Sequence, residues 1–382
     1  MPADGPLTGI EVLDLSLNLP GPYATSILRS LGASVTKIEP PRGDPARHMG
    51  ELFDLVNRGK KSVVLDLKRD PDQAHLRSLV ARADVLVEGF RPGVMARLGC
   101  GAAEALAQNP RLIWCSISAF GATGPRSGEP AHDLNTQALS GLCWLERDAA
   151  ERPRPTVLPT ADLGVALAAV AGINAALLGR ARTGRGAILD AAMVDPAASF
   201  AAIWSRGVDP GATARAQFPA NARPVARSFL RRLSRERLYA LPHYGLFRCR
   251  DGAWLAIGVV DEDHFWRRLC AMLGIPGLGR LKLPMRMALG GMIRPLVAAR
   301  VRSANRATWL ARAGEADLPL TPVLSPDEAR HDPQLAARGV FSSDGTPRAP
   351  VPGSSAIEDP APALGAHTAE VLGGLSSPNA AR

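Results

Sequence analysis

Hydrophobic and polar positions in the first half of the chain alternate between two periods, one typical of strands and one typical of helices. The short apolar runs predicted as strands are residues 10–15, 34–38, 62–66, 85–87 and 112–117. The amphipathic segments predicted as helices are residues 23–31, 72–83 and 102–108. Strands that alternate with helices predict an α/β fold, in which helices cover both faces of a parallel sheet. Ligands of such sheets usually bind at the carboxyl ends of the strands.

The pattern changes near residue 205, where Pro, Gly, Ala and Arg become frequent. We therefore predict a large domain over residues 1–205, a linker over 206–236 and a smaller α+β domain over 237–330. The smaller domain begins with two apolar runs on either side of Asp251 and Gly252, a pair typical of a hairpin turn.

Composition limits the class of protein. The 382 residues suffice for two domains, and 46% hydrophobic with 21% charged residues is typical of a globular chain. Five scattered cysteines argue against a disulfide scaffold or a zinc site and fit the reducing cytoplasm. The N-terminus lacks the pattern of a signal peptide. The longest apolar run, residues 164–178, is shorter than the roughly 20 residues of a membrane span, so we predict a buried helix and no membrane partner.

The net charge of +9 suits an anionic partner, although it could also serve solubility alone. Candidates are nucleic acid, a membrane surface or a multiply phosphorylated cofactor. Arginines recur every four residues from 223 to 235, but no aromatic stacking set accompanies them. We interpret that stripe as a solvated face or a rim that attracts an anion, and we expect no nucleic-acid partner. No glycine fingerprint of a dinucleotide site follows the first predicted strand.

Three ionisable residues carry the candidate chemistry: His132, Asp133 and Asp162. Each segment that contains them leads into an apolar run, which places them where a packed element begins. An imidazole and a carboxylate could move a proton on and off carbon. The carboxylate alone could attack an acyl thioester. The residues by themselves also allow a helix-capping role for Asp162, a loop position for His132, and either a capping role for Asp133 or one that orients His132.

Ten segments in order along the chain resemble a known family. They are residues 7–15, 20–22, 31–39, 57–62, 65–68, 83–93, 109–113, 121–125, 183–186 and 321–323. Together they make the chain similar to the class III CoA-transferases, which include formyl-CoA transferase, carnitine CoA-transferase and alpha-methylacyl-CoA racemase. The resemblance implies a Rossmann-like large domain completed by residues 331–382, and an interlocked homodimer. It also implies a coenzyme A thioester as substrate, with no metal and no permanently bound cofactor.

The resemblance assigns roles to the three ionisable residues. Asp162 falls where the family's transferases carry a nucleophilic aspartate and its racemases a catalytic acid. His132 beside Asp133 resembles the racemase pattern, so we expect racemisation of a 2-methylacyl-CoA by proton transfer between His132 and Asp162. The alternative is CoA transfer between carboxylic acids through an aspartyl-CoA thioester at Asp162, and a third possibility is CoA binding without catalysis. In each case a helix N-terminus should lower the pKa of Asp162.

Basic residues are expected to hold the phosphates of CoA. Arg97 matches a phosphate-binding arginine of the family, and Arg42 stands near a position where the family often has a basic residue. Arginine offers phosphate a bidentate contact and lysine a point charge. The remaining candidates lie in segments that resemble CoA-contacting loops: Arg91, Arg58, Lys60 and Lys61.

Two departures from the family pattern concern the smaller domain. The racemases carry a Gly-Gly-Ala-Pro segment before the hairpin, and residues 240–244 replace it here. They also carry a glutamate after the hairpin, where this chain has Asp261, Glu262 and Asp263. His243 lies in the replaced segment, and we interpret it as a packing residue rather than a member of the site.

Overall fold

The computed structural model describes residues 5–146, 148, 152–207 and 241–375. Most of the predicted linker, including its arginine stripe, lies outside the described residues. The chain divides into two compact units, residues 1–203 with 338–382 and residues 204–337.

The first unit contains a six-stranded sheet in which every strand pairing is parallel. Its strands are β1 (Glu11–Leu15), β2 (Ser34–Glu39), β3 (Lys61–Val64), β4 (Val85–Glu88), β5 (Ile113–Ser118) and β6 (Ala187–Ala192). The spatial order β3-β2-β1-β4-β5-β6 reverses between β1 and β4. This confirms the predicted α/β class. Such a reversal opens a crevice at the carboxyl ends of the strands, which is where ligands of these folds bind.

Helices cover both faces of this sheet because side chains alternate between the faces along each strand. Val12 faces a core formed with α1 (Pro20–Ser30), α8 (Thr160–Thr183) and α9 (Val194–Gly207). Leu13 faces a second core formed with α3 (Asp70–Val80), α4 (Val94–Arg97), α5 (Ala102–Gln108) and α16 (Thr368–Gly373). The remaining helices of this unit are α2 (Glu51–Asn57), α6 (Asp133–Ser140), α7 (Leu142–Leu145) and a 3₁₀ helix at Pro45–Met49.

Helix α8 contains 24 residues, so it is longer than the apolar run from which it was predicted. Within the described ranges it is the one helix long and apolar enough to cross a membrane, judged by length and composition. The expectation that the segment is too short for a span was therefore wrong. Val165, Ala169 and Ile173 are nevertheless buried against the sheet, which agrees with the predicted core position.

The end of the chain covers the free edge of β3. The amide of His367 donates to the Ser62 carbonyl at 2.9 Å, and the amide of Val64 donates to Oγ1 of Thr368 at 3.0 Å. Residues 338–382 therefore belong to the first unit. An edge strand that is covered in this way cannot pair with another chain.

The second unit is a small α+β assembly. An antiparallel sheet contains β7 (Gly245–Arg248), β8 (Trp254–Ile257) and β9 (Leu320–Pro322), and the first two strands form the predicted hairpin. Its core includes Leu255 and Trp266. The helices of the unit are α10 (Asp263–Met272), a 3₁₀ helix (Pro276–Arg280), α11 (Leu283–Ala288), α12 (Gly290–Val301), α13 (Arg306–Glu315), α14 (Pro326–Arg330) and α15 (Pro333–Ala337).

Candidate active site

The candidate site is built where the N-termini of α6 and α8 meet. Helix α8 follows Pro159, which supplies no side-chain cap of its own. Asp133 supplies the cap instead: its Oδ1 accepts hydrogen bonds from the amides of Ala161 at 2.8 Å and Asp162 at 3.1 Å. A helix start leaves several amides without partners, and a carboxylate is well suited to satisfy them. Asp133 therefore caps α8, a helix that begins 27 residues further along the chain.

Asp162 is half-buried, in the first turn of α8. Burial, followed by the negative charge of Asp133, raises the pKa of the Asp162 carboxyl to about 7. The sequence-based expectation of a lowered pKa was wrong for a physical reason. Two of the backbone amides that would stabilise the Asp162 anion donate to Asp133 instead. The Asp133 carboxylate is therefore stabilised as an anion, and its negative charge disfavours a negative charge on Asp162.

His132 is the N-cap residue of α6 and is exposed. Its amide donates to Oδ1 of Asn135 at 3.0 Å, which fixes the backbone at this point. His132 is bonded covalently to Asp133, which accepts from the amide of Asp162, so the backbone of His132 lies at the same corner of the fold as Asp162. Of the described side chains, neither Asp133 nor Asp162 forms a hydrogen bond with the imidazole, so the predicted orientation of His132 by Asp133 is not observed.

Gln137 is a member of this corner that the sequence did not single out. It lies one turn after Asp133 on α6, is 1% exposed, and donates from Nε2 to Oδ2 of Asp133. Its Oε1 accepts from the amide of Thr156 at 2.9 Å. A glutamine on an amphipathic helix gives no sequence signal of such a contact, because the partner comes from a distant loop.

A cavity of about 510 Å³ opens beside the first turn of α8. Leu19 and Tyr23, which follow β1, lie on one side of it, and Leu158 and Leu163 flank the start of α8. Leu163 is the direct neighbour of Asp162 along the chain. The cavity is thus close to the Asp133–Asp162 contact and mostly apolar in its lining, as a pocket for an acyl chain requires.

Three of the predicted phosphate-binding residues are exposed and near the carboxyl edge of the sheet. Arg42 and Arg91 follow the ends of β2 and β4, and Arg97 ends α4. No ion pair joins any of the three to another residue in the part of the chain that the structure describes. Their guanidinium groups can therefore meet an anionic ligand without breaking an internal contact.

Lys60 was predicted to bind phosphate, but it is 3% exposed. Its Nζ donates to Oδ2 of Asp14 at 2.9 Å, to Oγ1 of Thr25 at 2.8 Å and to Oδ1 of Asn57 at 2.9 Å. Burial lowers the pKa of Lys60 to about 8, against the attraction of Asp14, which raises it. This placement corrects the prediction: Lys60 is the buried counter-ion of Asp14. The sequence feature that indicates a buried counter-ion is Asp14, a charged residue in the middle of the apolar run that forms β1.

Arg58 and Lys61 also differ from the prediction. The Arg58 guanidinium donates to the carbonyls of Ile357 and Glu358, and it pairs with Asp344 at 3.1 Å, so it anchors the C-terminal segment. Lys61 begins β3 and therefore lies at the amino edge of the sheet, where it pairs with Glu370 at 2.7 Å. Lys61 thus lies at the edge opposite the carboxyl ends of the strands, whereas Arg58 lines the apolar cavity together with Leu163.

The acidic cluster of the second unit has partners within that unit. Asp263 pairs with Lys282 at 2.6 Å and with Arg286 at 3.0 Å, and Oε2 of Glu262 accepts from the Val260 amide at 3.0 Å. His243 is fully buried, with Nε2 at 2.9 Å from the Val260 carbonyl. This agrees with its interpretation as a packing residue.

Known proteins are similar to this chain along nearly its whole length. The model of a family described as CoA-transferase family III matches residues 7–368. An acetyl-CoA:oxalate CoA-transferase of Acetobacter aceti is 36% identical over 359 residues, which are 89% of this chain and 86% of that protein. An alpha-methylacyl-CoA racemase of Mus musculus is 32% identical over 377 residues, 96% of this chain and 92% of that protein. The crystal structure of a CAIB/BAIF family protein from Brucella suis has a TM-score of 0.80 at 28% identity, and the match covers 98% of this chain and all of that one.

Proposed function

The chain belongs to CoA-transferase family III, and on that premise we propose that Asp162 is the group that meets the acyl end of a coenzyme A thioester. The observation that carries this proposal is the Asp133–Asp162 contact at the start of α8. Burial, followed by the negative charge of Asp133, raises the pKa of Asp162 to about 7. A carboxyl group with such a pKa can both give and take a proton near neutral pH, which general acid–base catalysis requires.

Racemisation of a 2-methylacyl-CoA is the first reaction that this arrangement supports. Neutral His132 takes the α-proton, and the electron pair of the broken C–H bond moves into the thioester as an enolate. The protonated Asp162 then delivers its proton to the other face of the α-carbon. Two groups in different protonation states are needed, and an imidazole and a carboxyl group with a pKa near 7 satisfy that need. The similarity to a racemase over 96% of the chain supports this reaction.

CoA transfer between two carboxylic acids is the second candidate, and the 36% identity to an acetyl-CoA:oxalate CoA-transferase favours it. Here ionised Asp162 attacks the thioester carbonyl and expels CoA as a thiolate, which leaves a mixed anhydride. The thiolate attacks the aspartyl carbonyl and releases the first acid, which leaves an aspartyl-CoA thioester. The acceptor carboxylate then attacks that thioester, expels the CoA thiolate and forms a second mixed anhydride with Asp162. The thiolate attacks the acceptor's carbonyl in this anhydride, which forms the new acyl-CoA and releases the Asp162 carboxylate. His132 is auxiliary in this sequence.

CoA itself is proposed to bind at the carboxyl edge of the sheet. Arg42, Arg91 and Arg97 are exposed there and have no internal ion pair within the described ranges. The pyrophosphate and the 3′-phosphate of CoA would receive bidentate contacts from such arginines. The apolar cavity beside Leu163 is the space proposed for the acyl chain.

A homodimer, interlocked as the family resemblance implies, is proposed as the working form. Large apolar side chains are exposed along α6 to α9 and on the loop before α8. They include Leu134, Trp144, Val157, Leu178 and Ile203, which are 56–98% exposed. Exposed apolar side chains of this size are typical of an interface, and here we propose that a second copy of the chain buries them. Light scattering after size-exclusion chromatography tests this proposal, and a monomer at micromolar concentration would contradict it.

One experiment distinguishes racemisation from CoA transfer. The protein is incubated in D₂O with a 2-methylacyl-CoA, first without and then with a series of carboxylic acids. Deuterium at the α-carbon without an acceptor identifies racemisation, whereas a new thioester that forms only with an acceptor identifies CoA transfer. His132→Ala should abolish the exchange but leave transfer largely intact. His75→Ala, on α3 at the opposite face of the sheet, is the matched control.

A further inference from the structure

Gln137 is oriented by contacts on both sides of its amide group. Oε1 accepts from the amide of Thr156 at 2.9 Å and lies 3.0 Å from Oγ1 of the same residue. With the oxygen occupied by donors, the Nε2 group faces Oδ2 of Asp133, to which it donates. Because Gln137 is 1% exposed, water does not compete for these contacts. The amide therefore has one orientation, in which it presents N–H groups to Asp133.

Asp133 and Asp162 accept different numbers of hydrogen bonds from their surroundings. The Asp133 carboxylate accepts from three N–H groups: two amides of α8 on Oδ1 and the Gln137 amide on Oδ2. The Asp162 carboxyl accepts a hydrogen bond from no other residue in the part of the chain that the structure describes. Donors stabilise a charged carboxylate, and the negative charge of Asp133 disfavours a second charge on Asp162.

We propose that Gln137 is a positioning residue that keeps Asp133 ionised, so that Asp162 is the one of the two carboxyl groups that carries a proton. It acts through Asp133, which it stabilises as the anion. Asp162 is then the member of the pair that can donate a proton to a substrate, or react once it has lost that proton. The inference rests on the proposed function, because it assigns the reactive group of that same site.

Gln137 also connects α6 to the loop before α8. Thr156 donates to Oε1 of Gln137. The hydroxyl of Thr156 also contacts this loop: its Oγ1 lies 2.6 Å from the carbonyl of Leu158 and 2.7 Å from Oγ1 of Thr160. Loss of the Gln137 amide would therefore change both the conformation of the loop and the location of the proton. Two variants separate these effects. Gln137→Met removes the amide contacts to Asp133, Thr156 and Leu158, whereas Thr156→Val removes only the hydroxyl contacts of the loop and leaves the Gln137 amide to donate to Asp133.

The direct test is to locate the proton. A water-soluble carbodiimide with an added amine modifies carboxyl groups in their protonated form, and peptide mass spectrometry gives the ratio of label on Asp133 to label on Asp162. We expect Asp162 to be the main site in the wild-type protein. In Gln137→Met the ratio should rise about tenfold, since a hydrogen bond to a charged group is lost, and in Thr156→Val it should stay as in the wild type. Gln73→Met, which removes a glutamine on α3 that donates to the Leu67 carbonyl, is the matched control.

The pH dependence of activity is the second readout. In Gln137→Met, the acidic limb of the profile, where Asp133 takes up a proton, should move upward by about one unit relative to Gln73→Met, because the hydrogen bond that is lost stabilises the Asp133 anion. A ratio of labels and a pH profile that match the control would overturn the inference. An equal shift in Thr156→Val would also overturn it, because the loop contact alone would then explain the effect. Failure of the proposed function has a different signature: wild-type protein that catalyses neither hydrogen exchange nor CoA transfer.

Discussion

Oδ1 of Asp133 accepts the backbone amide of Asp162 at 3.1 Å, although the two residues are 29 positions apart along the chain. The contact caps α8 and brings a second carboxylate to the candidate reactive group. Burial, followed by the negative charge of Asp133, raises the pKa of Asp162 to about 7. A contact that stabilises a helix thus also sets the protonation state of a neighbouring carboxyl group.

Replacement of Asp133 by asparagine tests that link. The Asp133→Asn substitution keeps an oxygen for the α8 amides and removes the charge, so the pKa of Asp162 should fall by roughly one unit. The limb of the activity profile that reports Asp162 should move to lower pH by the same amount. This is the alkaline limb for racemisation, in which Asp162 delivers a proton, and the acidic limb for CoA transfer, in which ionised Asp162 attacks. The measurement is the pH dependence of kcat/KM. An unchanged profile in a folded variant would show that the charge of Asp133 does not control Asp162.

Lys60→Met should destabilise the protein because it leaves Asp14 buried without its counter-ion. Breaking a buried pair costs about 3–5 kcal/mol, and both side chains of this pair are fully buried. Denaturant unfolding measures the loss. The adjacent Lys61→Met is the matched control, and its effect should be small because its pair with Glu370 is exposed. Similar stability of the two variants would contradict the buried role of Lys60.

His243 should make the second unit sensitive to acid. Burial lowers its pKa from the ordinary 6.5 to about 4. Between these values the unfolded chain binds a proton that the folded state does not, so stability falls as pH falls through this window. The full effect is about 3 kcal/mol. Thermal unfolding of wild type and His243→Gln over this pH range is the test, and the variant should show the weaker pH dependence. Equal slopes would contradict the prediction.

The exposed arginines predict how affinity for CoA depends on its phosphates. Arg91→Ala and Arg97→Ala should each weaken CoA binding by about tenfold, the effect of one charge-assisted contact. Titration calorimetry with CoA and with 3′-dephospho-CoA shows which phosphate each arginine meets. A variant that has lost its contact to the 3′-phosphate should bind dephospho-CoA as well as wild type does. Normal affinity of both variants for both ligands would remove these arginines from the site.

Local patterns predicted most of the sheet and the position of Asp162. The five predicted strands are present because apolar runs of strand length pack on both faces of a parallel sheet. Asp162 lies in the first turn of its helix, as its place before an apolar run indicated. These features depend on residues that are neighbours along the chain.

Tertiary contacts account for the predictions that failed. Lys60 is buried because Asp14, 46 residues earlier, needs a counter-ion. Lys61 lies at the amino edge because strand direction, which depends on the whole sheet, decides which edge it occupies. The helix-dipole rule gave the wrong direction for the pKa of Asp162 because Asp133 takes the amides that the rule assigns to Asp162 itself.

The central claim is that the Asp162 carboxyl reacts with the acyl end of a CoA thioester. The most direct measurement compares wild type with Asp162→Asn, which keeps shape and removes the acid. Both are incubated with a 2-methylacyl-CoA in D₂O, and mass spectrometry follows deuterium on the substrate and CoA adducts on the peptide that contains residue 162. We predict that wild type shows α-exchange or an adduct on Asp162, and that Asp162→Asn shows neither. Exchange or transfer at the wild-type rate in Asp162→Asn would contradict the claim.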